Sequence, residues 1–174
     1  HFSPDETLPQ ALQFHQQGLL EKAKILYQSI LLHHPDHSET LHLSGVLAHQ
    51  QGQLPEAAQL IQRALEKMPQ APHFHNNLGN VYKDLQHWHK AIQHYQQAIQ
   101  LQPDLYDVHF NLGNIYLKKG SYDEAEKNYL TAIEKSPSNG MFYNNLAWLY
   151  IYSKHDLNTA ERIAKDAARL DPSR

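Results

Sequence analysis

Residues 72–105, PHFHNNLGNVYKDLQHWHKAIQHYQQAIQLQPDL, decide how the rest of the chain is read. Slid along the sequence, this stretch brings Gly45, Gly79 and Gly113 into one column and Pro35, Pro69, Pro103 and Pro137 into another, each member 34 residues from the last. A fixed period of this size marks a tandem array whose units cannot bury their apolar faces singly and must stack. Within each unit, apolar residues recur at helical spacing through about 14 residues, pause, and recur again. That is the pattern of two antiparallel helices, A and B, and no strand is expected.

Numbered from 1 at Pro72, the unit places small residues at 8 (Gly79), 20 (Ala91) and 27 (Ala98). Large apolar residues stand at 7 (Leu78), 11 (Tyr82) and 24 (Tyr95), and proline at 32 (Pro103). This pattern resembles the tetratricopeptide repeat. Five copies tile the chain at 4–37, 38–71, 72–105, 106–139 and 140–174, the last with one residue inserted near 154–157. The match is most regular in the third and fourth copies. The resemblance implies an all-α fold in one domain, an α-solenoid wound as a right-handed superhelix of five helix-turn-helix units and ten helices. Five units exceed the roughly three that a stable array needs. The small residues fall where A and B cross, and a bulkier side chain there would overpack at a cost of about 1–3 kcal/mol.

Composition narrows the function classes. The net charge is −3 over 174 residues, with Lys and Arg dispersed, which gives no footprint for nucleic acid or anionic lipid. The absence of cysteine removes disulfides, thiolate metal sites and thiol nucleophiles, and leaves the compartment undecided. The longest apolar run, 146–152, has seven residues, against the roughly 20 of a membrane helix.

Local signals place the helix ends. Ser3-Pro4-Asp5-Glu6 reads as a capping box, yet Pro9 would break the bond to Asp5, so regular helix is expected from near Thr7 to about Gln17. Ser38 is expected to cap the second A helix, and Ser121-Tyr122-Asp123-Glu124 forms a capping box for the fourth B helix. Gly18, Gly52 and Gly120 make A–B turns, whereas the third copy has Gln86 in that place, a tighter or more strained turn. The fifth B helix is expected to begin near Asp156 to Asn158, with Ala160, Ala167 and Pro172 resuming the pattern.

Chemistry is thinly represented. Fourteen histidines raise a metal hypothesis, with His42 and His49 two turns apart on one face, but there is no HExxH, and His33-His34-Pro35 breaks the helix before His37. His75 and His109 stand at position 4, where the resembled family packs an aromatic. No metal, cofactor or catalytic residue is therefore expected. No GxSxG, phosphate-binding loop or GxGxxG is present.

A ladder of asparagines is more informative. Asn77, Asn111 and Asn145 stand at position 6, Asn80 and Asn114 at position 9, Asn76 and Asn144 at position 5. The resemblance implies that positions 2, 5, 6, 9, 12 and 13 of the A helices face a concave groove. Two readings stand together: the amides hold the backbone of an extended peptide, or they bond between adjacent helices. The NNLGN and NLGN runs are similar to those of the O-linked N-acetylglucosamine transferases, where asparagines hold peptide backbone. The family's carboxylate clamp needs lysine at position 5, which here reads Leu8, His42, Asn76, Phe110 and Asn144, so that clamp is absent. Lys83 and Lys118 are the groove lysines, against Asp5, Glu39, Asp84 and Asp107. Trp148, Ile151 and Tyr152 at positions 9, 12 and 13 of the last A helix form an apolar stripe beside Leu117 and Phe110. These residues are the expected grip on a partner.

The function expected is a protein-interaction scaffold binding a peptide or partner segment. The alternatives are a recruiting or regulatory module of a larger enzyme such as a glycosyltransferase, or an oligomerisation scaffold. At the C-terminal end, Ile163, Ala164, Ala167 and Leu170 are expected to pack inward, leaving Ala160, Ala168 and part of Tyr150 at an open edge suited to end-to-end self-association.

Overall fold

A computed structural model describes residues 3–153 and 155–170, and Pro172 and Lys154 of the expected pattern lie outside them. Among the described residues the chain is an all-α helical repeat array without strands. Its ten helices are α1 (Pro4–Gln16), α2 (Leu20–His33), α3 (Ser38–Gln50), α4 (Leu54–Lys67), α5 (Pro72–Asp84), α6 (Trp88–Leu101), α7 (Tyr106–Lys118), α8 (Tyr122–Lys135), α9 (Gly140–Tyr152) and α10 (Leu157–Leu170). Odd-numbered helices are the A helices and even-numbered ones the B helices. The chain divides into two compact units, 1–97 and 98–174.

The 34-residue period is visible in what it buries. In the first unit, Ala23, Tyr27 and Ile30 of α2, Ala57, Ile61 and Ala64 of α4, and Ala91 and Tyr95 of α6 are all fully buried, the inner stripe of each B helix. The second unit repeats it with Ala125, Tyr129 and Ala132 of α8. The glycine column is where A and B touch. A Cβ on Gly79 would come 2.6 Å from the Tyr95 ring, and one on Gly113 2.6 Å from the Tyr129 ring, so each aromatic packs directly against bare backbone. Alanine at either position forces that ring aside, at a cost of about 1–3 kcal/mol.

Four A–B turns share one construction. A residue with left-handed φ follows the A helix, and the next amide closes onto a carbonyl five residues back: Leu19 N on Phe14 O, Gln53 N on Ala48 O, His87 N on Tyr82 O and Ser121 N on Tyr116 O, all 2.9 Å. The left-handed residue is Gly18, Gly52 and Gly120 at φ 73°, 75° and 74°, but Gln86 at φ 60° in the third copy. A side chain pays steric strain there, as the missing glycine led us to expect. In the fifth copy His155 takes φ 53° and Asp156 N closes on Tyr150 O at 2.9 Å, six residues back, so the extra residue is taken up inside the turn.

Several helix ends differ from the sequence expectation. α1 begins at Pro4 and continues through Pro9. Asp5 and Pro9 are both exposed, so water can reach the Asp5 carbonyl that Pro9 leaves without its helical donor. Ser3 makes no side-chain cap, because the Glu6 amide already bonds the Ser3 carbonyl at 3.3 Å. His37, not Ser38, caps α3: its Nδ1 accepts from Thr40 N at 3.3 Å and lies 2.8 Å from Thr40 Oγ1. Ser38 is the first helical residue, and its hydroxyl turns to Met68 Sδ at 2.9 Å. Ser121 makes no side-chain cap, since its ψ of 74° lies outside the extended range that a capping hydroxyl uses.

The inward stripe of α10 is also shifted. Ala160, Ile163 and Ala167 are buried, while Ala164, Ala168 and Leu170 are exposed. At about 100° per residue, Ala160, Ile163 and Ala167 cluster on one side of the helix, and Ala164 falls past the edge of that stripe. Ala160 is thus core, not edge. Half-buried Tyr150 donates its hydroxyl to the Glu126 carboxylate. Among the described residues no helix is long and apolar enough to cross a membrane.

Candidate functional site

The asparagine ladder sits on the A helices, half-buried throughout, and Asn77, Asn80, Asn114 and Asn145 make bonds that join helices. Tyr95 donates its hydroxyl to Asn80 Oδ1 at 2.7 Å, and Tyr129 donates to Asn114 Oδ1 at 2.8 Å. Position 9 of helix A is thereby tied to position 24 of helix B in the same copy. Asn114 Oδ1 also accepts from Asn145 Nδ2 at 2.9 Å, which joins α7 to α9. Asn77 Nδ2 lies 2.8 Å from His42 Nε2, joining α5 to α3. For Asn77, Asn80, Asn114 and Asn145 the bond between helices is therefore the one the structure displays. Asn76, Asn111 and Asn144 are half-buried on the same helices.

The other copies lack the asparagine at position 9. In the first copy Leu12 stands at 9, and the Tyr27 hydroxyl instead pairs with His15 Nδ1 at 3.0 Å, whose Nε2 lies 2.9 Å from Gln50 Oε1. The amide oxygen can only accept, so Nε2 carries the proton and Nδ1 receives the tyrosine O–H. In the fifth copy no tyrosine follows, and position 9 is Trp148.

Released from that bond, Trp148 is 56% exposed, and it stacks on Tyr152, 62% exposed, with ring centroids 4.4 Å apart and planes at 13°. Ile151 is half-buried beside them. Phe110 and Leu117 lie deeper. The Phe110 ring is 4.9 Å from Phe142 and 5.9 Å from Tyr129, and both Phe110 and Leu117 pack on the core of Ala125, Tyr129, Leu146 and Leu149. Lys118 is exposed and Lys83 half-buried.

The histidines mostly serve structure. His75 Nε2 lies 3.0 Å from the Pro69 carbonyl and must donate to it, which leaves Nδ1 to accept from His94 Nδ1 at 3.1 Å. Burial, then the neighbouring His75 and Lys90, hold the His94 pKa down to about 4. His109 Nδ1 lies 3.3 Å from Asn128 Oδ1. His42 and His49 do not converge: His49 Nε2 meets Asp84 Oδ2 at 2.7 Å. His42 is 4% exposed, stacked on Phe74 at 4.1 Å and 22°, and burial followed by His73 lowers its pKa to about 3. Its neighbours are Glu39 and His73, a grouping that sequence reasoning missed because its members stand in adjacent copies. Their positions, 2, 5 and 2 of successive A helices, were the available signal.

Paired antiparallel helices repeated at 34 residues, with a polar and aromatic A face, define a helical-repeat binding scaffold. Models of the TPR repeat match residues 45–86 and 79–120, and models of the tetratricopeptide repeat match 106–139 and 128–162. The chain belongs to the tetratricopeptide-repeat family. No curated protein matches it in sequence. Among solved structures, MamA is similar at TM-score 0.85 and 22% identity, over 93% of this chain and 94% of that one. MamA from Desulfovibrio magneticus RS-1 is similar at TM-score 0.87 and 16% identity, over 98% and 96%. YrrB, described as a TPR protein with an unusual peptide-binding site, is similar at TM-score 0.77 and 21% identity, over 94% and 84%. These likenesses show the shared fold.

Proposed function

We propose that this chain is a protein-interaction scaffold that binds a peptide or partner segment along the A-helix face and performs no chemical step. The observation that carries the reading is the Trp148–Tyr152 stack, two large aromatic faces held in water by a rigid helix. An ordinary core would bury them, and rigid exposed aromatics are the usual anchors of protein interfaces. Ile151 extends the apolar contact, and Phe110 and Leu117 are assigned to the same binding face. Within the second unit Asn111 and Asn144 are assigned to the backbone of the bound segment and Lys118 to its acidic or carbonyl groups, and within the first unit Asn76 and Lys83 are assigned the same two roles. Asn77, Asn80, Asn114 and Asn145 act by holding the helices that present this face. The peptide-binding site described for YrrB supports the same use of the fold. The dispersed charge and net −3 argue against a nucleic-acid partner.

The test selects peptides from a random display library on the full chain, then measures a selected peptide against variants. Trp148→Ala and Tyr152→Ala are each expected to weaken binding by about 2 kcal/mol, near 30-fold, while the exposed Leu32→Ala leaves it unchanged. Unchanged affinity with a lowered melting temperature in Trp148→Ala would overturn the assignment.

A further inference from the structure

We propose that Glu39, His42 and His73 form a binding site for a divalent cation of the zinc type, built across the A helices of the second and third copies. One donor atom from each of the three lies within 4.8 Å of the other two. A tetrahedral zinc with ligands at about 2.1 Å needs its donors about 3.4 Å apart. Closing the difference falls to His73, which is exposed, and Glu39, which is half-buried at the start of α3. His42 supplies the fixed point, clamped by its stack on Phe74 and by Asn77 at Nε2.

The second observation is an orphaned donor. His42 Nδ1 is buried without a hydrogen-bond partner, and its nearest charged neighbour, Glu39 Oε1, stands 4.0 Å away. Buried polar nitrogens are rarely left so, because an unmet one costs about 1–3 kcal/mol. A cation between Nδ1, the Glu39 carboxylate and a ring nitrogen of His73 satisfies it. Asn77 then turns its amide so that Oδ1 accepts the Nε2 proton, the outer hydrogen bond that orients a metal-bound imidazole. Two imidazoles and one carboxylate leave a fourth position for water on the exposed His73 side, as in open zinc sites.

The full chain carries fourteen histidines, so localisation must come from variants and not from stoichiometry. Zinc binding is measured by calorimetry, with Co2+ absorption as a coordination probe and imidazole 15N shifts as a direct readout. Zinc is expected to move the His42 Nδ1 and His73 resonances and to fix the His42 proton on Nε2. Glu39→Gln and His73→Ala, both at accessible positions, are each expected to weaken the tightest zinc binding tenfold or more without lowering the metal-free melting temperature. His89→Ala, an exposed control, is expected to leave it unchanged. Zinc that saturates the chain without moving His42 Nδ1, or zinc affinity in Glu39→Gln and His73→Ala as tight as in the unsubstituted chain, would overturn the site.

Discussion

Asn114 shows what one amide can do in a repeat: its oxygen accepts from Tyr129 within the copy and from Asn145 in the next. Asn114→Ala removes the one oxygen that accepts both bonds and leaves a buried tyrosine hydroxyl unmet. We expect it to destabilise the chain by about 2 kcal/mol in urea unfolding, and Tyr129→Phe, which removes one bond cleanly, by about 1 kcal/mol. Equal costs would mean that the Asn145 bond contributes nothing. The His94 ring gives the pH prediction. Its folded pKa of about 4 lies below its ordinary value of 6.5, so the unfolded chain takes up the proton first. Its contribution is complete above pH 6.5 and is lost as pH falls toward 4. The groups facing the ring are His75 and Tyr82 of α5 and Lys90 of its own helix. His94→Leu, matching Leu26 and Leu60 in the first two copies, is expected to flatten the stability profile across that window by about 1–2 kcal/mol, after screening of this half-buried ring is allowed for. Parallel profiles for the two proteins would remove His94 from the account. The phase of the asparagines was plain in the sequence, but which partner each amide takes was not, because its tyrosine stands on the other helix of the copy.

Among the A–B turns of one construction, the third copy is the one without glycine. Gln86 occupies the place of Gly18, Gly52 and Gly120 with the same left-handed backbone. Gln86→Gly relieves about 1–2 kcal/mol of steric strain and gives back about 0.5–1 kcal/mol through the freer unfolded chain. The net expectation is a stabilisation of about 0.5–1 kcal/mol, read as a higher melting temperature with unchanged helical signal. A lower melting temperature would show that the Gln86 side chain makes contacts worth more than the strain. The strained turn was legible as a missing glycine at a fixed phase. Helix starts were read less well. A serine before an acidic residue looks the same whether its ψ is extended or near 74°, and the preceding left-handed residue, not the serine, sets that angle at Ser121.

At the level of the whole chain, one period carried the fold. Once glycine and proline columns align at 34 residues, the helix pairs and their buried stripes follow from positions 8, 20, 24 and 27. The same period hid the Glu39–His42–His73 grouping, since residues 31 and 34 apart become neighbours only when successive A helices lie side by side. The aromatic stripe was legible as i, i+3, i+4 spacing, but the packing of Phe110 and Leu117 onto the core depends on Phe142 and the buried face of α8, which stand in other helices. The six-residue closure between Tyr150 and Asp156 has a further meaning. Here the protein has already run an insertion experiment on itself, and α9 and α10 keep 13 and 14 residues despite it. That joint is where a fluorophore-bearing loop or an affinity tag can be spliced in with the flanking helices kept in phase.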